Sequence, residues 1–119
     1  MADVNRAIHG LIAIFTSRCT DCSTLSELAE LIQDKTRWRK AHDLVHRIRK
    51  KTLVAQRNGD RLLEAQYLFE EVCAKTIYNL SGEAAPFDID VPFSIVPNAF
   101  ALARLLNISD SEIVQAITS

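Results

Sequence analysis

Two cysteines and two histidines have the residue types and spacing that could bind a metal ion. Cys19 and Cys22 are separated by two residues, and His42 and His46 stand one helical turn apart. Thiolates and imidazoles at these separations are typical zinc ligands. If the helix between the two pairs runs away from the cysteines and the next one returns, all four side chains could meet. Zinc held by these four residues is therefore an alternative hypothesis, in which the metal stabilises a helical domain.

Two observations weaken the zinc hypothesis. The gap of nineteen residues between Cys22 and His42 is longer than in the usual zinc finger. Cations that would repel a metal ion surround the histidines: Arg39, Arg49 and Lys50. The main hypothesis therefore includes no cofactor.

The same cysteine pair also has the CxxC spacing of thiol–disulfide exchange sites. Such sites usually open a helix in a strand-rich fold, and no strand is predicted before Cys19, so the sequence does not favour this activity. With Cys73 the chain has three cysteines, an odd number that does not form a disulfide framework. We therefore predict that the thiols are reduced and that Cys73 acts as a small hydrophobic residue of the core.

The stretch from Lys35 to Arg61 contains ten of the fourteen Lys and Arg residues and only two acids, which gives it a formal charge of +8. The remaining four bases and thirteen acids give the rest of the chain −9, although the total is only −1. A separation of this size needs a counter-charge from the same chain, another protein or a polyanion. The predicted partner-binding surface consists of Arg39, Lys40, Arg47, Arg49, Lys50 and Lys51.

Three explanations of this basic surface are open. Acids of neighbouring helices could pair with it internally, and the candidates are Glu27, Glu30, Glu64, Glu70 and Glu71. An acidic protein could bind to it, which is the leading functional hypothesis. Nucleic acid is the alternative, with phosphate contacts that weaken as salt rises. The chain as a whole is not basic, and few exposed aromatic residues are expected among the cations, which argues against nucleic acid.

Other chemistry finds little support in the sequence. There is no glycine-rich phosphate loop, no Gly-x-Ser-x-Gly turn and no carboxylate pair placed for acid–base catalysis. We therefore predict a binding module rather than an enzyme. No apolar run approaches the roughly 18 residues of a membrane span, and no signal peptide is evident, so a cytoplasmic location is expected. The apolar share of 48% is generous for 119 residues, and a homodimer is also considered.

Helical periodicity dominates the chain and predicts an all-α fold. The expected helices cover residues 3–17, 25–33, 36–57, 60–80, 97–106 and a terminal segment after residue 109. Their proposed N-terminal caps are Asp3, a Thr24–Glu27 capping box, Asp34 or Thr36, Asp60, and a Ser109–Glu112 capping box. The third helix should bury Trp38, Ala41, Leu44, Val45, Ile48 and Ala55.

Pro86 and Pro92 predict a loop over residues 83–96, because proline interrupts regular helices. Its apolar residues should cover the core or contact a partner: Phe87, Ile89, Val91 and Phe93. The sequence thus predicts a single helical domain, residues 1–119, built as a compact bundle of five to six helices with an apolar, proline-containing loop before the last two.

Overall fold

Six α-helices make up the part of the chain that the computed structural model describes, residues 2–83, 86–88 and 91–118. They are α1 (Ala2–Thr16), α2 (Ser23–Gln33), α3 (Ala41–Arg57), α4 (Arg61–Leu80), α5 (Val91–Leu105) and α6 (Asp110–Thr118). A 3-10 segment, Lys35–Lys40, leads into α3. Within these ranges there is no strand, so the predicted all-α bundle is confirmed.

Several helix boundaries follow the predicted local signals. The Asp34 carboxylate accepts a hydrogen bond from the Thr36 amide at 3.1 Å, and Asp60 accepts one from the Leu63 amide at 3.1 Å. Gly59 has a φ of 67°, the left-handed conformation that ends α3 without a Cβ clash. At α6, the Ser109 hydroxyl accepts a hydrogen bond from the Glu112 amide, as the predicted capping box requires.

Three boundary predictions are wrong. α1 already includes Asp3, which therefore does not precede it. α2 begins at Ser23, so Thr24 lies inside the helix and is buried, and the Thr24–Glu27 capping box does not form. The basic segment that we expected to be α-helical from residue 36 is 3-10 helix as far as Lys40.

The proline-containing segment differs most from its prediction. α5 begins at Val91, six residues before the expected start at Pro97. Pro92 is tolerated because the first helical turn has no partner for its amide hydrogen in any case. Pro97 lies inside α5, where it removes one hydrogen bond of the helix. Only the part of the predicted loop before Val91 is non-helical among the described residues.

The core is one cluster of buried apolar side chains shared by all six helices. α3 and α4 form the most extensive helix pair, joined by a short turn at Gly59, and α5 covers the other side of α4. α1 packs against α2 and α6. The Phe15 and Phe69 rings meet edge to face at 4.9 Å, linking α1 to α4. All six residues of the predicted α3 stripe are buried, which confirms that prediction.

Among the described residues, no helix has both the length and the apolar character that are needed to cross a bilayer.

Candidate functional site

Carboxylates of the same chain hold four of the six cations that were predicted to bind a partner. Arg47 and Glu27 form a two-pronged pair with N–O distances of 2.9 and 2.7 Å, and the guanidinium lowers the pKa of Glu27. The other three pairs are Arg39 with Glu83 at 3.4 Å, Arg49 with Glu71 at 3.5 Å, and Lys51 with Asp21 at 3.2 Å. Internal pairing therefore accounts for much of the basic surface.

Lys40 and Lys50, the other two predicted contact residues, are exposed and form no ion pair within the described ranges. Four further cations of the basic stretch also form no ion pair among the described residues, and all but the half-buried Arg37 are exposed: Lys35, Arg37, Arg57 and Arg61. Six cations of the basic stretch therefore remain without an ion pair among the described residues, against two acids in the same stretch.

The exposed face of α3 continues from Lys50 toward the end of the helix. Lys50, Leu53, Val54 and Arg57 follow the i, i+3, i+4, i+7 spacing of one helical face, and all four are exposed. Leu53 and Val54 keep 54% and 52% of their surface accessible. We call these four residues the outer face of α3. It combines apolar and basic side chains that no described part of the chain covers.

A cavity of about 270 Å³ opens beside the outer face, between the last turns of α3 and the first turns of α4. Its walls expose mainly apolar surface, from Val54, Ala55, Leu63 and Tyr67, and its other lining residues are Lys50, Lys51, Asn58 and Asp60. We call it the α3–α4 groove. Small-molecule and side-chain pockets commonly have such apolar walls and a few polar groups.

The four proposed zinc ligands are not assembled into a metal site. Cys19 and Cys22 are joined to each other by a disulfide, so the prediction that these two thiols are reduced is wrong. Their Cα atoms are 5.9 Å apart, within the range that a disulfide spans. The described residues contain no group of three or more His, Cys, Asp or Glu side chains placed to hold a metal ion. Cys73 is a free, buried core residue, as predicted.

The two histidines belong to an aromatic cluster instead. The His42 ring lies 4.8 Å from the His46 ring, 5.2 Å from Tyr78 and 5.7 Å from Phe87, on which it stacks. Both amide atoms of Asn79 bond the backbone of Phe87, at 2.8 Å to its carbonyl oxygen and 2.8 Å to its amide nitrogen.

Phe87 therefore packs on the bundle, as predicted for this apolar segment. Ile89, which the same prediction included, lies outside the described residues, and so do the side chains of Val91 and Phe93.

Asp21, between the two disulfide-bonded cysteines, is the hub of a polar network. One oxygen of its carboxylate accepts hydrogen bonds from the Tyr67 hydroxyl at 2.6 Å and from Lys51 at 3.2 Å. The other accepts from the amide and hydroxyl of Ser23. The Tyr67 bond, more than the Ser23 and Lys51 bonds, holds the pKa of Asp21 well below its usual range, against a smaller opposing effect of burial. Burial, followed by the bond to Asp21, raises the pKa of Tyr67.

The network continues into the core through Gln66. Its side-chain amide donates to the backbone carbonyl of Asp21 at 2.7 Å and to Glu70 at 2.7 Å. Glu70 has no accessible surface and forms no ion pair among the described residues, so its expected pairing with the basic surface is wrong. Burial raises the pKa of Glu70 to about 7, and the charge of Asp21 adds to this effect. Neither the buried Thr24 hydroxyl nor the second carboxylate oxygen of Glu70 has a hydrogen-bond partner.

Sequence reasoning missed this network, although one signal for it was present. Gln66, Glu70, Cys73 and Ala74 follow the spacing of one face of α4, and Cys73 was already predicted to be buried. The partner of Gln66 in the cysteine loop lies 45 residues away in sequence, and no local pattern reports such a contact.

The structure thus describes two neighbouring features, the α3–α4 groove and the disulfide loop, which share Lys51 and Tyr67. Comparison with known proteins identifies no relative for this arrangement, because no protein-family model, curated protein sequence or solved structure matches the chain.

Proposed function

We propose that this protein is a non-enzymatic binding module for an acidic protein segment. In this proposal an apolar side chain of the partner enters the α3–α4 groove, and its acidic residues contact Lys50 and Arg57. The observation that carries the proposal is the combination of an apolar groove with exposed, unpaired cations on the adjoining outer face of α3. Buried apolar anchors supply most of the affinity in such interfaces, and rim charges guide association.

The pattern of ion pairs favours a protein over nucleic acid as the partner. A phosphate backbone is best matched by a row of free cations. Here Arg47, Arg49 and Lys51 are each held by a carboxylate of the same chain. Leu53 and Val54 interrupt the remaining basic positions with apolar surface, which suits a protein better than a sugar–phosphate chain.

A selection from a random library of 16-residue peptides on the immobilised protein tests the proposal. We expect the enriched peptides to combine Asp or Glu with a large apolar residue. Calorimetry should then show that Lys50→Glu with Arg57→Glu, and separately Val54→Asp, weaken binding at least tenfold, about 1.4 kcal/mol. The matched control is Lys40→Glu, an exposed and unpaired cation that does not line the groove, and it should leave affinity unchanged.

Three results would contradict this proposal. The first is enrichment of peptides without acidic residues. The second is a salt-sensitive mobility shift of duplex DNA or RNA that the Lys50 and Arg57 reversals abolish, which would favour the nucleic-acid alternative. The third is a concentration-dependent mass in light scattering that Val54→Asp abolishes, since a second copy of the chain would then occupy the groove.

A further inference from the structure

We propose that the Cys19–Cys22 disulfide is an exchange site for external dithiols, and that Asp21 transmits its redox state to Lys51 and Tyr67. This inference concerns the disulfide loop itself and does not depend on the identity of any partner at the groove.

The position of the disulfide favours exchange over a purely structural role. Both cysteines are only half-buried, in the turn between α1 and α2, so a small thiol can approach them. The bond closes a loop of four residues, and the entropy that a cross-link removes from the unfolded chain is smallest for the shortest loops. The fold therefore gains little stability from this disulfide.

The surroundings also suit the reduced state. The sulfur atoms of Cys19 and Cys22 lie 3.5 and 3.6 Å from the carbonyl oxygen of Thr16, the last residue of α1. Once reduced, either thiol can donate a hydrogen bond to this oxygen without a change of the backbone. Cys22 is in addition the N-cap residue of α2; its sulfur makes no cap hydrogen bond in the disulfide state, but the helix dipole favours a negative charge at this end.

These features allow thiol–disulfide exchange with an external dithiol in two steps. A thiolate of the external dithiol attacks the Cys19 sulfur, a new S–S bond forms, and the Cys19–Cys22 bond breaks with its electron pair on the Cys22 sulfur. Cys22 is the better leaving group because of its place at the helix N-terminus. The second thiolate of the reagent then attacks the mixed disulfide and releases Cys19. The protein gains two electrons and two protons, and the dithiol becomes a disulfide.

Asp21 connects this reaction to the rest of the molecule. The disulfide fixes the two residues on either side of the Thr20–Asp21 pair, and the Asp21 carboxylate in turn anchors Lys51 and Tyr67. Both anchored side chains line the α3–α4 groove. When the bond opens, the loop loses its covalent restraint, and we expect the anchors of Lys51 and Tyr67 to loosen.

Dithiothreitol is the probe for the exchange step. The native protein is incubated with it, the free thiols are alkylated with a maleimide, and the mass is measured while circular dichroism monitors the fold. We expect two alkylated cysteines at unchanged helicity, with the buried Cys73 unmodified, and the same result in Cys73→Ser. In the Cys22→Ser variant, the Cys19 thiolate should attack oxidised glutathione, form a mixed disulfide with one glutathione and release the other as a thiol. Alkylation that requires denaturant, or no mixed disulfide at Cys19, would overturn the exchange site.

Nuclear magnetic resonance of ring-labelled tyrosine tests the transmission. Reduction should shift the Tyr67 signal in the native chain, and Asp21→Asn should remove this response while its cysteines still exchange. Tyr78 provides an internal reference, because it lies in the aromatic cluster with His42 and Phe87. A Tyr67 signal that is the same in both redox states would overturn the role of Asp21.

Discussion

Replacement of Glu70 by Gln should raise the free energy of unfolding at pH 8 by about 3 kcal/mol. The carboxyl group has no accessible surface, and its pKa is raised from 4.5 to about 7, mainly by burial. At pH 8 the folded protein must hold a buried charge whose second oxygen has no hydrogen-bond partner. Gln keeps the shape and an acceptor for Gln66, but it carries no charge.

The stabilising effect of Glu70→Gln should depend on pH, because the raised pKa of Glu70 makes the parent protein less stable as pH rises. Well below pH 4.5 the Glu70 carboxyl group is protonated in both the folded and the unfolded chain, and it does not lower the free energy of unfolding. Between pH 4.5 and about 7 the unfolded chain releases a proton that the folded chain keeps, so stability falls as pH rises. Above about pH 7 this contribution is constant. Urea unfolding of both proteins from pH 4 to 8 should therefore show a difference that grows with pH and then levels off.

Glu30→Gln is the matched control, because Glu30 is exposed on α2. It should change stability by less than about 0.5 kcal/mol at any of these pH values. A Glu70→Gln protein that is less stable than the parent at pH 8 would show that the groups that favour the charged form, Thr24, Gln66 and Lys51, together outweigh burial at this site.

Replacement of Gly10 by Ala should lower the free energy of unfolding by about 2 kcal/mol. A Cβ atom at this position would overlap the backbone carbonyl group of Ala116, where α1 and α6 approach each other. Backbone atoms cannot move aside as the end of a flexible side chain can. Ala favours the helix by about 1 kcal/mol relative to Gly, and the expected decrease in the free energy of unfolding already allows for this gain. Urea unfolding at pH 7 measures the change.

His9→Ala provides the comparison for Gly10→Ala, since it alters the preceding, exposed residue of the same helix. Its effect should stay within about 0.5 kcal/mol. If Gly10→Ala proved as stable as the parent, α1 and α6 would have to lie farther apart than the structure places them.

The helices were predictable where apolar spacing and turn residues agree. The α3 stripe and the Gly59 turn are examples, because both follow from the local chain geometry. Pro92 misled the prediction of α5 because a proline in the first helical turn has no preceding turn to conflict with. Pro97 misled it in another way, because it lies inside the helix although it disfavours one there. Packing of α5 against α4 outweighs that local preference.

The candidate site was less predictable because it depends on pairings between distant residues. Charge counting identified the basic stretch but could not show which of its cations form ion pairs with Glu27, Asp21 and Glu71. The number of cysteines also misled, since a CxxC pair can close its own loop whether or not a third cysteine is present. The groove lies between two consecutive helices and depends on how closely they pack, which neither helix alone indicates.

The hydrogen bonds between Asn79 and Phe87 restrict the lengths that evolution can give to this part of the chain. The Asn79 side chain forms hydrogen bonds with both the backbone carbonyl and the backbone amide of Phe87, as a neighbouring strand does in a sheet. An inserted or deleted residue between these positions would present a different backbone unit to Asn79 and remove the Phe87 ring from His42. Homologous chains should therefore keep the number of residues between Asn79 and Phe87.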